Sequence, residues 1–172
     1  AVDSTLLRFE KKWWLFFTDG EARHFNTHLH IWHASDLFGD WKPHFGNPVK
    51  IDVRSARPAG QFFWHENSLY RPAQDCSRTY GGQIRINKIV KLTESEFEES
   101  TVTTIKPPAG RYSKGIHTLS TVDGYSVIDV KRYVFNPSRI VEVLKQTAKN
   151  TALKLGVPQE TIQALKKRID QR

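Results

Sequence analysis

Methionine is absent from the 172 residues, and cysteine occurs once, at Cys76. A single thiol excludes an internal disulfide, so the simpler setting is a reducing, cytoplasmic compartment. The longest apolar run, Trp13 to Phe17, is strand-sized, far short of the roughly 20 residues that a membrane helix requires. A glycine-rich phosphate loop, a Gly-x-Ser-x-Gly elbow and a dinucleotide fingerprint are all missing, and no cofactor is implied. No secretory leader opens the chain, and a start at Ala1 without any Met reads as a processed or partial chain.

Charge of one sign is scarce in most of the chain. The net charge is +8, but residues 131–172 hold ten Lys+Arg against three Asp+Glu, which leaves the rest nearly neutral. A nucleic-acid protein carries its charge on the folded face that binds, so that class is disfavoured. The basic tail is a solvated helical face, or it meets acidic lipid headgroups or an acidic partner, which would place the protein at the periphery of a membrane.

What the chain has in quantity is aromatic and β-branched sequence broken by turns. TLLRF (5–9), KWWLFFT (12–18) and THLHIWHA (27–34) predict three strands, with a short fourth at 41–45. KWWLFFT is apolar nearly throughout, as a strand buried on both faces would be. The same order returns at 61–64, 68–71, 82–92 and 98–105, and a third round starts with strands at 115–122 and 125–130 around Asp123-Gly124, a strong hairpin signal. Phe9, His65 and Thr121 stand 56 residues apart, as do Trp14, Tyr70 and Ser126. Regular four-strand units at that period read as propeller blades; a sandwich with irregular loops is the other reading. From Asn136, an N-cap followed by Pro137, the spacing turns helical to a Gly156 cap, and a second helix runs from Gln159 to about Asp170 with an apolar stripe of Ile162, Leu165 and Ile169.

The fold class is thus all-β, about two and a half four-stranded blades over residues 1–135, followed by a basic helical hairpin over 136–172.

The strings WWLFFT, HLHIWHASDLFGDWKPH, SARPAG, LYRPAQDCSRTYGG, HTLS and YSVIDV carry a resemblance. Over roughly residues 5–133 the chain is similar to the five-bladed propeller domain upstream of the transferase module in glucosamine inositolphosphorylceramide transferases, and more distantly to the glycoside hydrolase family 43 superfamily. The resemblance implies a role in glycan or glycolipid metabolism and a lipid-linked sugar as partner. Five blades of this period need roughly 280 residues. The missing blades would come from a companion fragment or self-association, unless the tail covers the open face.

The stretch Arg57 to Cys76 carries two Arg-Pro-Ala triplets, at 57–59 and 71–73, around a hairpin. A proline cannot donate to a ladder, so each arginine sits where a strand is disturbed. Arg57, Arg71 and Gln74 are candidate substrate-binding residues, since guanidinium forks suit hydroxyls and phosphates, and His117 is a candidate polar ligand or proton carrier. Asp19, Asp75 and Asp129 fall at comparable places in three hairpins and are candidate catalytic carboxylates for glycosidic chemistry; the resemblance marks only Asp75. The plain alternatives are a turn cap for Asp75, a turn residue for Asp19, and an ion pair with a neighbouring Lys or Arg for Asp129. His24, His28, His30 and His33 read as a polar strand face rather than a metal site, and Cys76 as a small buried residue. Two carboxylates in one pocket would favour hydrolysis, whereas a single one beside cations would favour binding. A filled mouth would leave an interaction scaffold.

Overall fold

The computed structural model describes residues 1–20, 24–122 and 124–169, with side chains as far as residue 164. Asp123, Asp170 and the side chains of Leu165 and Ile169, all used in the sequence reading, lie outside that description. The chain divides into two units, Ala1–Arg132 and Tyr133–Arg172. The first is built of antiparallel sheets, and the second is helical.

In the first sheet β1 (Val2–Phe9), β2 (Lys12–Thr18), β3 (His28–Ala34) and β4 (Lys42–Pro43) lie side by side in chain order, and β5 (Lys50–Ile51) also pairs with β3. The second sheet repeats the order with β6 (Phe63–His65), β7 (Ser68–Asp75), β8 (Gln83–Leu92) and β9 (Phe97–Ile105). A third hairpin pairs β10 (Leu119–Val122) with β11 (Tyr125–Ile128). The hairpins close at Phe9 with Lys12, His65 with Ser68, and Val122 with Tyr125, so the first step is 56 residues and the second 57. Glu10 and Lys11, like Glu66 and Asn67, all have positive φ, which matches the twist of tight two-residue hairpin loops. The fourth strand is shorter than the expected 41–45, and the pair at 50–51 was not foreseen.

Alternation explains the packing. Trp14 and Phe16 of β2 point into a core shared with Leu29 and Ile31 of β3, Leu69 of β7 and Leu92 of β8. The Phe16 ring lies 4.7 Å from Phe62 and 5.8 Å from Phe97. A second core joins Ile84 and Ile86 of β8 to Ile116 and Leu119, which lead into the third hairpin. The second sheet is therefore packed on both sides, and among the described residues the sheets do not close into a ring. The expectation that β2 is buried on both faces is corrected: Trp13, Leu15 and Phe17 are only half-buried, because among the described residues no sheet covers that side.

The strand expected to stop at Arg71 runs on through Pro72 to Asp75. Past Tyr70 its partner on one side changes from β6 to residues 57–59, through Ala59 N–H to Pro72 O (3.1 Å) and Gln74 N–H to Arg57 O (2.8 Å). In that pairing Pro72 has no N–H to return to Ala59. The Ala59 carbonyl instead accepts the N–H of Leu119 at 2.7 Å, and the third hairpin is thereby attached to the second sheet. Gly60 makes the approach feasible: its φ is +123°, and a Cβ there would stand 2.0 Å from the Leu119 carbonyl oxygen.

In the second unit α1 (Pro137–Lys154) starts at Asn136, whose side chain accepts the Ser138 N–H at 3.1 Å. It ends in a paired cap, with Gly156 N–H on Leu153 O and Val157 N–H on Ala152 O. α2 (Gln159–Ile169) follows. No described helix is long and apolar enough to cross a membrane.

Candidate functional site

Four of the residues singled out in the sequence come together around Tyr80. Asp129, just past β11, accepts at Oδ1 the backbone N–H groups of His117 (3.0 Å) and Thr118 (2.7 Å) and the Thr118 hydroxyl (3.0 Å). Its other oxygen meets His117 Nδ1 in a close ion pair. Burial pushes the Asp129 carboxyl up, but the two N–H donors, the Thr118 hydroxyl and His117 outweigh it and hold the group below the ordinary carboxylate value. A carboxylate so held orients the imidazole, with Nδ1 toward Asp129 and Nε2 on the far side of the ring.

The His117 ring meets the edge of Tyr80 at 5.3 Å between centroids. Gly81 allows this: at φ +57° its missing Cβ would fall 2.4 Å from the Cβ of His117. The Arg57 guanidinium lies 4.9 Å from the centre of the same Tyr80 ring. Arg57 Nε donates to Asp3 Oδ2 at 2.6 Å, and Nη1 donates to Phe25 O and Asn26 Oδ1. Gln74 Nε2 shares Asp3 Oδ2 at 2.6 Å and also donates to Pro58 O. Arg57 and Gln74 are buried, so they act on the site by fixing Tyr80 and the start of β1. Burial raises the Tyr80 phenol above its usual value, which keeps it a neutral hydroxyl.

Beside this cluster is a cavity of about 400 Å³, lined in part by Tyr80, Tyr112, His117, Asp129, Lys131 and Arg132. Lys131 Nζ donates to Tyr80 O at 2.5 Å and Thr79 Oγ1 at 3.4 Å. The guanidiniums of Arg132 and Arg111 lie 5.6 and 5.9 Å from the centre of the Tyr112 ring. Among the described residues, Asp129 is the one carboxylate in the lining.

The other candidates sit elsewhere. Arg71 is fully buried between β7 and β9, gripping Glu99 through Nε to Oε2 (2.8 Å) and Nη2 to Oε1 (2.6 Å), with further bonds to Ser55 O and Ala56 O. Lys50 and Asn87 also reach Glu99. Asp75 takes the Ser77 N–H and hydroxyl on one oxygen, and Gln83 and Arg85 on the other. Burial raises its pKa, but those four bonds more than reverse the effect, leaving it lowered. Its geometry is that of a buried turn cap and ion pair. Asp19 lies exposed at the end of β2, close enough to His30 to affect its titration.

The histidines are dispersed in role. His24 and His28 rings stand 4.1 Å apart, His30 stacks on Phe17, and His33 packs on Trp14 near Glu94. Among the described residues no group of three or more His, Cys, Asp or Glu is placed to hold a metal ion.

The sequence reading missed Asp3, Tyr80, Tyr112, Lys131, Arg132 and Glu99. One signal was available: the step of 56 that carries Asp19 to Asp75 lands next on Lys131.

The sequence profile described as "Glucosamine inositolphosphorylceramide transferase 1, N-terminal" matches residues 1–132. Glucosamine inositolphosphorylceramide transferase 1 of Oryza sativa subsp. japonica is 42% identical over 106 residues, and that of Arabidopsis thaliana 42% over 105. Each alignment covers 59% of this chain and 14% of the relative, so the chain matches only about a seventh of those proteins. No solved structure matches the chain.

Proposed function

The chain belongs to the family of glucosamine inositolphosphorylceramide transferase N-terminal domains, and from that membership we propose that it is a carbohydrate-binding β module of a larger glycosyltransferase-type protein acting on a glycolipid. In this reading the successive meanders are blades of a partial propeller, and the cavity beside Tyr80 receives the sugar headgroup. The observation that carries the reading is a cavity of about 400 Å³, roomy enough for a sugar, lined by two tyrosines, one oriented histidine and, among the described residues, a single carboxylate. Tyrosine rings give a sugar a flat apolar face, and the oriented His117 gives its hydroxyls a hydrogen-bonding partner.

Binding is favoured over hydrolysis by the same count. Glycoside hydrolysis uses two carboxyl groups roughly 5 to 10 Å apart across the scissile bond. Among the described residues Asp129 has no second carboxylate beside it in the cavity, and Asp75 has both oxygens engaged by its own neighbours. The test is calorimetric titration of the full chain with glycolipid headgroup saccharides, repeated with Tyr112→Ala and His117→Ala. Each variant is expected to weaken binding by at least about tenfold; unchanged affinity in both, with folding intact by circular dichroism, overturns the assignment.

A further inference from the structure

We infer that the helical unit anchors the protein at the surface of an anionic membrane, with α1 lying in the headgroup layer and its apolar side turned to the acyl chains. This anchoring does not depend on the cavity beside Tyr80. None of the described side chains from Tyr133 to Ala164 is buried. Leu144 is 63% exposed, and Phe135, on the approach to α1, 78%. A helix of 18 residues that buries nothing is marginal in water, and covering its apolar side is what makes it persist.

The side chains of α1 sort by angle. With 100° between successive residues, Ile140, Leu144, Ala148 and Thr151 fall in one stripe that Leu155 prolongs, with Val141 and Val143 at its margins. Glu142, Gln146 and Lys149 take the opposite side, where Leu153 is the exception. Arg139 and Lys154 stand along the edge of the stripe, a place from which a long stem covers apolar surface while its charged head reaches back to a phosphate. Five charges in 18 residues suit a helix that lies along an interface, not through it. Just ahead of it Tyr133 and Phe135 are exposed aromatics, side chains that settle at headgroup level. Charge selects the cover. Residues 131–172 hold ten Lys+Arg against three Asp+Glu, so a second copy laid on the same stripe would bring two strongly basic tails together, whereas an anionic lipid surface complements them.

The full chain is mixed with phosphatidylcholine vesicles, with and without phosphatidylserine, and the bound fraction is read by co-sedimentation. Binding is expected to be at least about tenfold tighter on the vesicles with phosphatidylserine, with helix content rising by circular dichroism. Leu144→Ser should weaken it at least about fivefold. Arg139→Gln combined with Lys154→Gln should do the same on the anionic vesicles only, and added salt should weaken the wild type more than this variant. All three side chains are exposed, so the sheets should keep their urea midpoint. Equal binding to both vesicle types overturns the inference, as does binding that neither variant alters. Anionic binding that Leu144→Ser leaves unchanged but the charge variant removes overturns it in favour of plain electrostatic adsorption. Dimers that Leu144→Ser abolishes, without vesicle binding, overturn it in favour of a second copy. No vesicle binding and no dimer overturns it in favour of an acidic protein as the cover.

Discussion

Arg71 and Glu99 form a two-point ion pair in the interior of the second sheet, at 2.8 and 2.6 Å, with 1% and 2% of their side chains exposed. Two more of the arginine's donors go to the carbonyls of Ser55 and Ala56, just before Arg57. It is a buried brace that ties β9 to the segment entering the site. Removing one partner of such a pair strands a charge in the interior. Glu99→Ala is expected to cost about 3–5 kcal/mol in urea unfolding, whereas replacing both residues with apolar side chains of similar volume is expected to cost much less. Equal losses would show that the ion pair as such is not what holds this region.

Acid should weaken the fold through the same class of groups. Glu99 feels burial, which raises its pKa, but the Arg71 and Lys50 charges and their hydrogen bonds bring it below the ordinary value; Asp75 and Asp129 are lowered as well. A carboxyl that binds its proton less tightly when folded contributes stability above its unfolded pKa of about 4, and that contribution disappears as the pH falls through the folded value. Urea midpoints should begin to decline below about pH 6.5, where burial holds His28, His30 and His33 below the ordinary histidine value and the unfolded chain takes up protons first, and should fall more steeply below about pH 5 as the carboxyls protonate. The fall should be smaller in a chain carrying Asp75→Asn, with a lower starting midpoint. A midpoint unchanged down to pH 3 would contradict the lowered carboxyls.

Gly60→Ala should loosen the third hairpin. The substitution puts a methyl group against the Leu119 carbonyl at a positive φ, and a loss of at least about 2 kcal/mol is expected. Hydrogen exchange of the Leu119 amide, which bonds to Ala59, should accelerate more than that of the Phe16 amide in the first sheet. Uniform acceleration would mean that the hairpin and the sheets unfold together.

Cys76 should be slow to react. Burial raises its thiol pKa despite the nearby Gly81 backbone bond and the Arg57 charge, and a thiol is a poor nucleophile compared with its thiolate. Ellman's reagent at neutral pH is expected to label the urea-unfolded chain promptly and the folded chain far more slowly. Equal rates would place the sulfur in solvent.

Strands and helices were legible where local chemistry is sufficient: a nearly continuous apolar run marked β2, partial alternation marked β3, and Asn136-Pro137 with Gly156 bracketed α1. The 56-residue step located the first two hairpins because each is a local event. The site was harder to read because its bonds join distant positions. Asp3 meets Arg57 and Gln74 across 54 and 71 residues, and nothing near Asp3 in the chain announces that. Glu99 stands among Glu94, Glu96 and Glu98, a run that reads as a wet, charged face, yet only Glu99 is turned inward to meet Arg71. His117 and Asp129 were each recognised, but their pairing depends on the third hairpin bringing 117 and 129 side by side, which sequence spacing alone left open.

Pro72 determines which neighbour the Ala59 oxygen serves. An imino acid at one place in β7 works here as an address: by withholding a proton, it reserves an acceptor for a segment some 47 residues further along. Homologous chains that share this seam are then expected to vary more freely at the residues filling the cores than at this one nitrogen, whose contribution is a bond it cannot make.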